Sequence, residues 1–187
     1  MKPNYRAFFA LTREPFGSNL APKGIMQTTE VLGVAKRFEY AIRLGALVLV
    51  TGDVGSGKST ALRWAASRLH PSEYQIIWVI AAYQVIWVTA SQGSILELYR
   101  QICVELEVDT ASFSRAVFTN LVRKQVLKIV QYRKKRFPPI IEEASLLRLQ
   151  VRAELYTITQ VQGDFKPIIL VGQNNLVASS YTEPPCP

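Results

Sequence analysis

Several things are scarce in this chain of 187 residues, and each shortage removes a class of chemistry. Cysteine occurs twice, as Cys103 in a helical pattern and Cys186 in a proline-rich tail. Two thiols so placed make no disulfide framework, and no Cys/His spacing suits zinc. The single histidine, His70, precedes Pro71 at an expected helix end, where an imidazolium would suit the helix C-terminus. The sequence therefore argues against triads that need histidine. Long apolar runs are missing too. The longest, Ile76 to Val88, is interrupted by Tyr83-Gln84, and none reaches transmembrane length. The opening MKPNYRAFFALTREPFG is no signal peptide, because its apolar stretch is short and broken by Arg13, Glu14 and Pro15. A cytoplasmic location is the expectation. Acids are few as well: 14 Asp and Glu against 22 Lys and Arg give a formal charge of +8. That balance favours polyanionic partners, nucleic acid first and anionic membrane second.

What is present suits one folded domain. Apolar residues make up 49 % and charged residues 19 %, enough for a core and too little charge for a disordered chain. Residues 1–27 read as an aromatic and turn-rich segment, with a short helix near Tyr5 to Phe9, that packs on the core. Residues 28–176 read as the core and 177–187 as an irregular tail. Thr28-Thr29-Glu30 offers N-cap chemistry for an amphipathic helix over Val31 to Leu44, which Gly45 stops. Ala46 to Thr51 is a continuous apolar run, the mark of a strand buried on both faces. Lys58 to Leu69 reads as a helix. YQIIWV at 74–79 recurs as YQVIWV at 83–88. An odd offset reverses which side chains face the core, so one ideal strand cannot contain both copies. The second copy is the expected core strand, because it leads directly into the next helix. Helical patterns follow over Ser94 to Val108 and Phe113 to Arg136. Ile140-Ile141 reads as a clipped strand, Ser145 to Gln160 as a helix and Pro167 to Val171 as a strand. Such alternation predicts a three-layer α/β domain with a mainly parallel sheet.

The strongest motif is LVLVTGDVGSGKST, which contains Gly52-x-x-x-x-Gly57-Lys58-Ser59 between an expected strand and helix. Glycines let the backbone of Gly52, Asp53, Val54, Gly55, Ser56 and Gly57 turn around phosphate oxygens. Main-chain amides and the N-terminus of the next helix, with Thr60 in its first turn, add positive potential. Lys58 is expected to reach the β- and γ-phosphates, and the Ser59 hydroxyl to ligate Mg²⁺.

A phosphate loop needs a carboxylate-bearing strand beside it, and PPIIEEASLL supplies one. An apolar strand ending in Asp then Glu is the usual arrangement, for metal and for water. Glu142 is the expected metal-side acid and Glu143 the water-activating one. The plain alternative is a helix N-terminus that collects acids before Ser145. Two departures stand out: Glu142 occupies an Asp position, and Pro138-Pro139 fall where a strand should pair.

Taken in order, YRAFFALTREPFG, GDVGSGKST, IIEEASLL and IILVGQNNL resemble the AAA+ ATPases of the general-secretion-pathway protein A type, a family that includes ATP-binding helpers of transposases. The resemblance runs to about Leu176. It implies ATP and Mg²⁺ as cofactors, a five-stranded sheet, assembly into homo-oligomers, and a transposase or secretion partner. By position Gln173 resembles the polar sensor that ends the fourth strand. That family continues with a fifth strand, an arginine-finger region and a helical lid. Here VASSYTEPPCP follows Leu176, and no Lys or Arg follows Lys166. The expectation is thus a P-loop NTPase core of AAA+ type that lacks the fifth strand and lid, leaves the P-loop strand at a sheet edge, and turns over slowly or not at all. The alternative is a DNA- or protein-binding remnant with a vestigial nucleotide site.

One feature points to DNA. No acid falls between Asp109 and Glu142, whereas Arg115, Arg123, Lys124, Lys128, Arg133, Lys134, Lys135 and Arg136 all do. The 115–136 stretch is either a phosphate-tracking surface or a solvated helix face.

Overall fold

Helices and parallel strands alternate through the computed structural model, which describes residues 5–12, 14, 20–80, 95–108, 114–132, 136–159 and 167–178. In chain order they are α1 (Tyr5–Phe8), α2 (Thr29–Leu44), β1 (Leu47–Thr51), α3 (Lys58–Ser67), β2 (Ile77–Ile80), α4 (Ile95–Glu105), α5 (Arg115–Leu127), β3 (Pro139–Glu142), α6 (Leu149–Thr159), β4 (Ile168–Gly172) and α7 (Asn175–Ala178). Among the described residues the sheet has four strands, all parallel, in the order β1-β4-β3-β2.

The three layers follow from the two-residue period of the central strands. Ile169 and Val171 of β4 and Ile140 of β3 face one side, where they meet Phe38 and Ile42 of α2 and Leu62 and Trp64 of α3. Ile168 and Leu170 of β4 and Ile141 of β3 face the other. There they meet Tyr99 and Ile102 of α4, Phe118 and Val122 of α5, and Leu155 of α6. Every residue of β4 is buried. The α/β fold with a parallel sheet is therefore as the sequence led us to expect.

Local chemistry sets the helix ends. Thr28 caps α2, its Oγ1 accepting from the Val31 amide at 3.4 Å, and Gly45 closes the helix in the left-handed region. His70 lies beyond the end of α3, which closes at Ser67 with Arg68 as C-cap, and its Nδ1 is 2.6 Å from Ser72 Oγ.

Several expectations need correction. The first copy of the duplicated segment, not the second, forms the core strand: Ile77, Trp78, Val79 and Ile80 pair with Pro139, Ile140, Ile141 and Glu142. The second copy, 83–88, lies outside the described residues. β1 is not buried on both faces; Leu47 is exposed and the rest of the strand is half-buried, because β1 ends the described sheet. The helix expected from Ser145 begins at Leu149, after a short 3₁₀ turn over Ala144–Leu146. The helix expected to reach Arg136 leaves α-geometry after Leu127 and continues as a π turn over Lys128–Tyr132. Arg136 itself sits in a parallel backbone bridge with Tyr74. Pro139 does not break the central strand, because it opens β3, where the missing amide is tolerated.

Candidate functional site

Residues 52–57 carry the chain from β1 to α3. Gly55 and Gly57 have φ of 79° and 84°, a conformation that side chains with a Cβ rarely adopt. Gly57 is also the N-cap of α3, so the first amides of that helix open onto the loop. Lys58 folds back over this turn: Nζ donates to the carbonyl oxygens of Gly52 at 2.9 Å and Asp53 at 2.7 Å. The cation therefore sits over the loop that the sequence assigns to phosphate.

A cavity of about 270 Å³ opens beside it. Its walls come from three places. Val54, Gly55, Gly57, Lys58, Ser59 and Thr60 supply one side, Glu142 and Glu143 another, and Val171, Gly172 and Gln173 the third. Adjacent strand residues normally point to opposite faces. Glu142 and Glu143 can line one cavity because the strand stops between them: Glu143 has φ 53°, in the left-handed region, and opens the 3₁₀ turn. Glu142 Oε1 is buried and has no hydrogen-bond partner among the described residues. A carboxylate oxygen in that state costs free energy unless something cationic or hydrogen-bonding arrives.

The acids are not gathered by an α-helix N-terminus, since α6 starts only at Leu149. The end of β4 is tied to the same turn. Gln173 donates its amide to Ser145 Oγ at 3.3 Å, and a Cβ on Gly172 would lie 2.9 Å from that oxygen. A Cβ there would also lie 3.1 Å from the Ser145 main-chain nitrogen, so any larger residue would force the two segments apart slightly.

Of the residues singled out in the sequence, Val54, Gly55, Gly57, Lys58, Ser59, Thr60, Glu142, Glu143 and Gln173 thus meet at one cavity. Gly52, Asp53 and Ser56 build the turn behind it, with the Ser56 amide donating to the Asp53 carbonyl at 3.2 Å. The Asp53 side chain points elsewhere: its Oδ1 accepts from Asn174 Nδ2 at 3.2 Å. Asn174 was not singled out in the sequence. Its partner lies 121 positions away, and no short motif announces that contact.

The donor set suits Mg²⁺ with phosphate. No group of three or more His, Cys, Asp or Glu able to hold a metal alone occurs among the described residues. Ser59 and the unpartnered Glu142 oxygen are hard oxygen donors, and Mg²⁺ commonly completes its shell with phosphate oxygens and water.

The basic stretch is less free than its composition implied. Arg115 forms an ion pair with Glu154 of α6. Arg136 lies 5.8 Å from the Tyr74 ring centroid and donates to its hydroxyl at 3.4 Å. Arg123, Lys124 and Lys128 are exposed. Arg133, Lys134 and Lys135 lie outside the described residues.

A parallel α/β sheet with a glycine loop between its first strand and the following helix defines a P-loop nucleotide-binding fold. Residues 42–178 match the AAA domain family, and the chain belongs to that family of AAA+ ATPases. It is 27 % identical over 180 residues to general secretion pathway protein A of Aeromonas hydrophila, covering 92 % of this chain and 30 % of that protein. Its fold is similar to the crystal structure of Cdc6p from Pyrobaculum aerophilum, with a TM-score of 0.63 and 15 % identity over 87 % of this chain and 43 % of that one. The chain thus spans less than half the length of either. Among the described residues no helix is long and apolar enough to cross a membrane.

Proposed function

We propose that this chain binds Mg-ATP in the cavity beside residues 52–60 and hydrolyses it to ADP and phosphate. The observation that carries this reading is that Glu142, whose Oε1 is buried without a partner among the described residues, lines the same cavity as Lys58 and Ser59. On this reading the loop amides and Lys58 hold the phosphates, and Ser59 and Glu142 hold the metal. The bound Mg²⁺ would neutralise charge on the phosphate oxygens. Glu143 accepts a proton from the attacking water, and Gln173 contacts the terminal phosphate.

Titration with a fluorescent ATP analogue, paired with phosphate release, tests binding and turnover separately. Lys58→Ala is expected to weaken binding at least about tenfold, close to the loss of one charge-assisted contact. Glu143→Gln should keep binding and abolish release. Brisk turnover that survives Glu143→Gln rejects the assignment. By analogy with the family resemblance, the process served is DNA transposition or a secretion step, through a transposase or secretion partner and a homo-oligomer. The exposure of Arg123, Lys124 and Lys128 favours a second reading, in which this face contacts DNA whether or not ATP is bound.

A further inference from the structure

A carboxylate in a loop that grips a polyanion needs a reason. Asp53 stands in the turn between β1 and α3, where each negative charge opposes a triphosphate. Three contacts hold it, one of them the Ser56 amide donating to its carbonyl at 3.2 Å. Its side chain accepts from Asn174 Nδ2 at 3.2 Å, and its main-chain oxygen accepts from Lys58 Nζ at 2.7 Å. Lys58 spends two of its three donors on the Gly52 and Asp53 carbonyls, and a full turn toward phosphate draws it off them. When it does, the Asp53 main chain keeps the Ser56 amide, and Asn174 is the contact that holds the carboxylate itself.

We propose that Asn174 is a positioning residue for nucleotide binding: it holds the Asp53 carboxylate against the end of β4, so the loop keeps its shape and its anion stays aside when Lys58 turns to phosphate. This rests on reading the cavity as a nucleotide site. The platform for the contact is firm. Asn174 follows β4, whose residues are all buried, and the neighbouring Gln173 amide is fixed to Ser145 Oγ. An amide side chain suits the task, because it donates to a carboxylate without adding a charge that would compete with Lys58.

The experiment is a double-mutant cycle on the full chain with Mg-ATP, Mg-ADP and AMP, using Asn174→Ala, Asp53→Ala and the pair. Both side chains are exposed, so the variants should fold, and thermal melts confirm it. Asn174→Ala is expected to weaken Mg-ATP about fivefold, Mg-ADP less and AMP least, in keeping with a freed charge near the terminal phosphates. The loss should shrink in 0.5 M salt, and vanish in the Asp53→Ala background. Equal losses in both backgrounds, or no loss at all, overturn the proposal while leaving the nucleotide site intact. Absence of ATP binding by the unaltered chain would overturn the underlying site reading and this inference with it.

Discussion

Glu143 pays for its place with backbone strain. Its φ of 53° is a left-handed conformation that costs a residue with a Cβ about 1 kcal/mol or more. Glycine would adopt it freely, at the expense of greater freedom in the unfolded chain. Glu143→Gly should therefore stabilise the protein by about 0.5–1 kcal/mol, a rise of about 1–4 °C in melting temperature, and end phosphate release. A lower melting temperature would show that the turn is not strained. Tyr99 makes the opposite case, a buried polar group with no site role. It is fully buried in the core between the sheet and α4–α6, and its hydroxyl has no hydrogen-bond partner among the described residues. Burial, helped by the Glu154 carboxylate, pushes the phenol well above its ordinary pKa. A raised folded-state pKa means that the folded chain keeps a proton the unfolded chain loses above about pH 10. The stability Tyr99 confers through that proton is complete below that pH and falls as pH rises beyond it. Tyr99→Phe should leave stability near pH 8 unchanged or higher and flatten the decline between about pH 10 and 11, measured by urea unfolding.

The strands show how far a sequence can be read. β1 and β4 are both continuous apolar runs, LVLVT and IILVG, and both are consistent with burial on two faces. Only pairing separates them: β4 lies between β1 and β3, whereas β1 closes the described sheet. Pairing partners lie far apart in the chain, so the sequence carries the existence of these strands better than their exposure. Leu170→Ala in β4 should cost about 2–5 kcal/mol, while Leu47→Ala, at a position 46 % exposed, should cost under about 1 kcal/mol. Equal costs by denaturant unfolding would contradict the strand order. The duplicated segment was ambiguous for a related reason. Both copies have strand character, and the slot beside β3 goes to the first, where Tyr74 and Gln75 are already joined to Arg136 by a backbone bridge and a 2.9 Å hydrogen bond. The phosphate loop and the two acids were legible because their chemistry depends on short fixed spacings. The Asn174–Asp53 contact was not, because it depends on the fold bringing β4 beside β1.

At the scale of the whole molecule, a charge of +8 does not by itself make a nucleic-acid surface, because neighbouring acids and rings engage part of it. Glu154 offsets the charge of Arg115, whereas Arg136 keeps its charge while the neutral Tyr74 ring and hydroxyl engage it. Among the described residues, the exposed cations there that neither Glu154 nor Tyr74 engages are Arg123, Lys124 and Lys128, with Lys124 and Lys128 one helical turn apart. If they track a DNA backbone, each contacts about one phosphate and releases the counterions condensed on it. The logarithm of the DNA association constant should then fall steeply with the logarithm of salt concentration, and changing all three to alanine should lower that slope by about 2–3. ATP should not alter the change, since these residues lie outside the lining of the phosphate cavity. Gel shifts over a salt series, with and without Mg-ATP, measure it. A slope unchanged in the triple variant would mean that this helix face is only solvated, and that the positive charge of the molecule serves solubility rather than DNA.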